Sequence, residues 1–247
     1  MNSQTIAVET VDLTRKFGKF IAVNQVSIKV RQGEIFGFLG ANGAGKTTMI
    51  RMLCGLLKPS SGKASVAGFD VFRQSEKIKQ HIGYMSQKFS LYDDLTIEEN
   101  IIFYGGVYNL NDQLLSERKH DLLENVGLEN IAGTLTRDLP LGFKQRLALG
   151  CAMLHDPPIL FLDEPTSGVD PQARRSFWNL IYNTADKGKT VFVTTHFMDE
   201  AEYCHRLSIM RDGAIIALDT PQVLRKKYKK DTMQDVFITI AGVDRLN

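Results

Sequence analysis

Apolar and polar positions change their period several times along the chain. Val26, Ile28 and Val30 alternate with Ser27 and Lys29, which predicts a half-buried strand. Gly33 ends that pattern, and Glu34 to Leu39 (EIFGFL) is a short apolar run suited to a strand buried on both faces. A glycine-rich stretch follows, after which Met49, Met52, Leu53, Leu56 and Leu57 recur at helical spacing. Strand, glycine loop and helix in that order predict the start of a parallel sheet. Ile159 to Leu162 (ILFL) and Thr190 to Thr194 (TVFVT) supply two more buried strands. Asp212-Gly213 separates Leu207–Met210 from Ala214–Leu218, a two-residue hairpin signal. Between the halves, residues 90 to 152 are mainly helical in pattern, with segments at Ile97–Tyr108, Leu114–Val126 and Gln145–Leu154. A helical block between strands of one sheet predicts a lobe attached to an α/β core. The basic cluster Arg225-Lys226-Lys227-Tyr228-Lys229-Lys230 reads as a solvated helix face, with contact to anionic lipid as the alternative.

Composition changes this picture little. A chain of 247 residues with 43% hydrophobic and 23% charged residues sits in the ordinary globular range. A net charge of +2 exerts no general pull on nucleic acid, and no nucleic-acid partner is expected. Cys54, Cys151 and Cys204 are scattered without metal-ligand spacing and read as reduced core thiols. No apolar run approaches the roughly 20 residues that cross a bilayer. Met1 to Glu9 lacks the basic and apolar regions of a signal peptide, so a cytoplasmic chain is expected.

Chemistry enters at Gly40. Gly40-Ala41-Asn42-Gly43-Ala44-Gly45-Lys46-Thr47 matches the phosphate-binding loop G-x-x-x-x-G-K-[ST]. Its glycines let the backbone bend so that successive amides point at phosphate oxygens, and the following helix adds its positive end. Lys46 suits the β- and γ-phosphates of a nucleotide, and the Thr47 hydroxyl suits Mg²⁺; the loop alone does not separate a kinase, a GTPase or a transport ATPase. Farther on, the apolar Ile159–Leu162 ends in Asp163 and Glu164. Asp163 is suited to hold Mg²⁺ through water, and Glu164 to orient and polarise the attacking water. Alternation puts the two side chains on opposite faces of a strand, but at its end both can serve one nucleotide.

At this point the chain resembles the ATP-binding subunits of ABC transporters over nearly its whole length. The resemblance is carried by Gly40–Thr48 (GANGAGKTT), Gln87, Leu139–Arg146, Leu162–Pro165 (LDEP), Ser167–Asp170 (SGVD) and Thr194–His196 (TTH). It implies an α/β fold: a P-loop NTPase (RecA-like) core with an antiparallel β subdomain and an inserted α-helical subdomain. The ATP-binding domain is expected over 6–235, the helical subdomain over roughly 90–152, and a tail over 236–247. It further implies that Phe17 stacks on adenine and that residues 40 to 48 hold the phosphates. Gln87 would complete the Mg²⁺ shell, His196 would contact the γ-phosphate, and Asp170 would communicate between two nucleotide sites. Two such domains would close head to tail on two ATP molecules. Phe89, Leu91 and Tyr92 would give apolar character to a groove that receives a transmembrane permease subunit, placing the chain peripherally on the inner face of the cell membrane. The overall look is nearest to bacterial exporters of drugs or lipophilic molecules.

One segment departs from the family. In place of Leu-Ser-Gly-Gly-Gln stands Leu139-Pro140-Leu141-Gly142-Phe143, followed by Lys144-Gln145-Arg146. Pro140 lacks both a hydroxyl and an amide N–H to offer a partner's γ-phosphate. This segment resembles the second half of tandem two-ATPase exporters, so the expected partner is either a second copy or a domain with an intact signature. The plainer reading has Pro140 as the first residue of the next helix, with Gly142 keeping enough contact. Two other functions are open at this stage: a soluble ABC-type ATPase acting on ribosomes or nucleic acid, and a nucleotide-binding regulator that does not hydrolyse. Neutral charge and the lack of a second ATPase domain or a long coiled coil disfavour the first; Glu164 and His196 disfavour the second.

Overall fold

The computed structural model describes residues 5–88 and 90–242. In chain order the elements are β1 (Ile6–Phe17), β2 (Phe20–Arg31), β3 (Ile35–Leu39), α1 (Lys46–Leu53), β4 (Ser61–Val66), β5 (Phe69–Asp70), α2 (Ser75–Gln80), β6 (Ile82–Met85) and α3 (Ile97–Val107). There follow α4 (Asp112–Val126), α5 (Leu141–Met153), β7 (Ile159–Asp163), α6 (Pro171–Asp186), β8 (Thr190–Thr195), β9 (Arg206–Arg211), β10 (Ala214–Asp219), α7 (Pro221–Tyr228) and α8 (Met233–Ala241).

Six strands form the central sheet in the order β10-β9-β3-β8-β7-β6. All its neighbouring pairs are parallel except the β9–β10 hairpin, which turns at Asp212 (φ 51°) and Gly213 (φ 78°). The second sheet, β2-β1-β4-β5, is antiparallel throughout.

Strand alternation sorts the core into two layers. Phe36, Phe38, Phe161 and Phe192 face α1 and pack with Met49, Ile50 and Met52, the Phe161 and Phe192 rings lying 4.7 Å apart. From the other face of the same strands, Ile35, Leu39, Leu162 and Val193 pack with Trp178 and Ile181 of α6. Between β6 and β7 the chain leaves the sheet to build a third cluster from Ile97, Ile101, Leu123, Leu147 and Cys151. Sheet core, antiparallel layer and helical lobe are the architecture expected of this chain. The packed structure continues past residue 235, because α8 spans that position and Val236 is wholly buried in the second layer. Among the described residues, no helix is long and apolar enough to cross a membrane.

Candidate active site

The C-terminal edge of the parallel strands is where α/β sheets collect ligands, and here it gathers the predicted chemistry. β3 ends at Leu39, and the loop 40–45 carries the chain into α1 with Gly45 as N-cap at φ +105°. The amides of Lys46, Thr47 and Thr48 donate to no acceptor among the described residues, the arrangement expected where an anion is bound. Asn42 and Gly43 are exposed at the tip, while Ala44 is buried beneath.

Lys46 folds back over the loop. Its ammonium donates to the carbonyls of Gly40 (2.7 Å) and Ala41 (3.1 Å) and lies 3.4 Å from Glu164 Oε1. Burial, partly offset by Glu164, holds its pKa below the ordinary lysine value. On β7, alternation aims Asp163 at the α1 face, where Oδ1 accepts hydrogen bonds from Thr47 (3.1 Å) and Thr194 (2.7 Å). Asp163 Oδ2 is buried and unpartnered. Burial raises the Asp163 pKa, opposed by those two hydroxyls.

Continued alternation would send Glu164 to the opposite face. Instead the backbone turns left-handed at Glu164 (φ 50°), with its amide donating to Thr194 Oγ1 (2.8 Å). That turn brings the second carboxylate back beside the first, at a conformational cost of order 1–3 kcal/mol. Three side chains converge on it: Lys46 at Oε1, and Gln87 Nε2 (3.0 Å) and His196 Nδ1 (3.2 Å) at Oε2. The histidine is close but not aligned for a hydrogen bond. Residues from four chain segments, separated by up to 150 positions, thus meet around one carboxylate.

The other predicted residues lie around this centre. Phe17 is half exposed at the end of β1 with the Arg15 guanidinium 4.5 Å from its ring. Asp170 is the N-cap of α6, accepting from the amides of Gln172 and Ala173 (both 2.9 Å). Leu139 is buried and Leu141 is exposed at the start of α5. Pro140 is the N-cap of α5 rather than its first helical residue, because its ψ of 150° is extended. The proline therefore stands where a serine or threonine would cap the helix, and no side chain caps it. Gly142 packs against Ala173, and Phe143 stacks on Arg146 at 4.3 Å. Tyr92 is half exposed against Phe103 (4.6 Å), Leu91 packs inward, and Phe89 lies outside the described residues.

Thr194 was missed as a site residue by itself; its one hydroxyl donates to the Asp163 carboxylate and accepts the Glu164 backbone amide. A hydroxyl in an otherwise apolar strand is the signal that marks it. Gln145 was likewise missed, though it is buried and donates weakly to the Ser167 carbonyl (3.4 Å), tying α5 to the turn before Asp170.

The sequence profile of the ABC transporter family matches residues 23–167, more than half of the chain. The chain is 52% identical, over 238 residues, to the probable multidrug ABC transporter ATP-binding protein YbhF of Escherichia coli. That match covers 94% of this chain but only 41% of the relative. It is 40% identical over 214 residues to the Nod factor export ATP-binding protein I of Burkholderia lata, covering 86% of this chain and 70% of that one. Among solved structures it resembles an ATP-binding cassette in a dimeric post-hydrolysis state bound to ADP and Pi. That likeness has a TM-score of 0.77 and 26% identity, over 86% of this chain and 98% of that one.

Proposed function

Since the chain belongs to the ABC transporter family, as one of its ATP-binding, ATP-hydrolysing domains, we propose that it drives export through a separate membrane permease. The observation that carries the hydrolytic reading is the convergence of Lys46, Gln87 and His196 on Glu164, beside the phosphate-binding loop. The amides at the start of α1 and the Lys46 ammonium hold the β- and γ-phosphates, and Phe17 lies under the adenine. The residues present fit Mg²⁺: Thr47 offers a hydroxyl, and the buried, unpartnered Asp163 Oδ2 lacks a cation to offset its desolvation. When bound, Mg²⁺ supplies charge neutralisation at the phosphate oxygens. Glu164 orients the attacking water and accepts its proton, and His196 steadies the γ-phosphate while Gln87 keeps the carboxylate aimed.

A second ATP-binding domain supplies the signature segment that closes this site. The exposed apolar face of α3, Ile102, Phe103 and Val107, with Tyr92 alongside, supports docking of a permease segment on the helical lobe. The relatives named for multidrug transport and for Nod factor export support outward transport of lipophilic molecules, with the chain lying against the inner face of the membrane. The altered signature supports pairing with a domain whose own signature is intact.

Glu164→Gln tests the core of this reading. The substitution keeps shape but removes the base, and turnover should fall by about 10²–10⁴-fold. ATP should stay bound in a stable two-domain complex that the wild type does not accumulate. Undiminished turnover in Glu164→Gln would remove the glutamate from the mechanism.

A further inference from the structure

Thr194 and Thr195 are neighbours at the end of β8, and alternation sends their hydroxyls to opposite faces of the sheet. Thr194 serves the Asp163 carboxylate and the Glu164 backbone amide already described. Thr195 points the other way and donates to Glu200 Oε2 at 2.6 Å. Glu200 is wholly buried, and its Oε1 accepts from Thr166 Oγ1 at 2.5 Å. Arg174, on the second turn of α6, brings its Nε to 3.5 Å from the same oxygen. The Arg174 guanidinium also stacks on the Phe197 ring at 4.0 Å and reaches Asp199 Oδ2 at 3.4 Å.

The polar junction brackets the site. Thr166 is two residues beyond Glu164, and Thr195 immediately precedes His196. The Thr195 hydroxyl also accepts the amide of Phe197 at 2.9 Å, so the residues on both sides of His196 are tied, one to Glu200 and the other to Arg174. Arg174 lies four residues past Asp170, which caps the same helix. One buried carboxylate thus joins the turn after Glu164, the turn carrying His196 and the helix that begins at Asp170. An apolar cluster could pack these segments without desolvating a charge; what it could not do is fix the direction of each turn by hydrogen bonds.

We propose that Glu200 is a positioning residue for hydrolysis, holding His196 and Glu164 in register and linking both to α6. Movement of α6 against a partner domain is then passed to the hydrolytic pair through Arg174 and Glu200 instead of being absorbed in the loops. The proposal rests on the hydrolytic role given above to Glu164 and His196.

The test compares Glu200→Gln, Thr195→Val and Thr195→Ser in the full chain, purified with the membrane protein and ATP-binding partner that accompany it. Glutamine keeps the volume but cannot accept both hydroxyl protons or pair Arg174. Valine deletes only the Thr195 hydroxyl, and serine restores it. Misplacement of reacting groups by an ångström costs about 10²-fold in rate, so kcat should fall by about 10- to 100-fold in Glu200→Gln and in Thr195→Val. KM for ATP and the melting temperature should hold, and Thr195→Ser should stay near wild type. Wild-type kcat in folded Glu200→Gln, or kcat and ATP affinity falling in parallel with the melting temperature, overturns the proposal. Should Glu200→Gln not fold, the valine and serine pair decides alone. Glu164→Gln in the same assay separates the two levels. If it turns over ATP normally the underlying reading fails; if it is inactive while Glu200→Gln and Thr195→Val are not, only the positioning role fails.

Discussion

A methyl group placed on Gly45 would sit 2.5 Å from the carbonyl oxygen of Ala22, on a backbone at φ +105° that L-residues rarely adopt. Gly40 is constrained by space alone, since its added Cβ would meet the Met210 carbonyl at 2.6 Å. Both clashes are with backbone, which cannot swing away, so the loop itself must move. Gly45→Ala is expected to strain the loop by about 1–3 kcal/mol and to lower affinity for a non-hydrolysable ATP analogue by at least about tenfold. Titration calorimetry showing affinity within twofold of wild type would contradict this.

His155 carries a second prediction at this scale. Its ring stacks on Tyr108 at 3.7 Å and Nε2 donates to the Ile82 carbonyl at 3.0 Å. Burial is the main cause that pulls its pKa from 6.5 down to about 4. Between those values the unfolded chain takes up a proton that the folded chain refuses, so stability is full above pH 6.5 and erodes as pH falls toward 4. His155→Phe keeps a ring but not the proton. Its melting temperature should fall less steeply across that window than the wild type's, and parallel curves would count against the assignment.

The loop residues and Glu164 could be read from the sequence because a rare pattern and a strand ending in two acids point to them. Glu200 could not: in Asp199-Glu200-Ala201-Glu202 it reads as part of a solvated acidic turn, and only the fold buries it.

At the scale of elements, α3 shows how a local signal fixes a boundary. Thr96 accepts from the Glu99 amide (3.1 Å), and the Glu99 carboxylate accepts from the Thr96 amide (2.8 Å), a complete capping box. Thr96→Ala should cost about 1 kcal/mol and lower the melting temperature by about 2–4 °C, read by calorimetry or circular dichroism. The hydrogen bonds from Thr96, its backbone amide first, hold the Glu99 carboxyl below its ordinary 4.5. That contribution is present above pH 4.5 and is lost as pH falls through the lowered folded value. The loss caused by Glu99→Ala, which removes the accepting carboxylate itself, should therefore shrink in acid, and an unchanged difference at low pH would argue against the cap.

The same helix was legible from its apolar spacing, as were β3, β7, β8 and the β9–β10 turn. β1 was not, because register shifts between Thr10 and Leu13 and near Arg15 break the two-residue period that betrays a strand. α6 was missed although its start carries a plain signal, an Asp at the N-cap followed by proline. α4 and α5 begin two and four residues earlier than their apolar positions indicate, because their first turns face outward.

At the scale of the whole molecule, the pairing proposed above makes what one chain displays half of a site. The start of α5 presents the amides of Leu141 and Gly142, which donate to no acceptor among the described residues, but Pro140 contributes neither amide nor hydroxyl. A hydrogen bond to a charged group is worth about 1.5–3 kcal/mol. Swinging a two-state equilibrium from mostly open to mostly closed takes roughly 5.5 kcal/mol. Two copies facing each other lose the contact at both sites, about 3–6 kcal/mol, which is comparable to the whole closing drive. A pair with one intact signature loses it once, and it keeps the site built on Lys46, Glu164 and His196 of this chain fully faced. The purified chain alone should accordingly hydrolyse ATP weakly, with little rise in specific activity as its concentration increases. Pro140→Ser combined with Leu141→Gly restores the hydroxyl, the amide and the close backbone approach. That variant should raise turnover of the isolated chain by at least about tenfold and make specific activity grow with protein concentration. Strong second-order activation of the unmodified chain by itself would mean that Leu141 and Gly142 suffice to close the partner's site, and that no intact signature is needed opposite it.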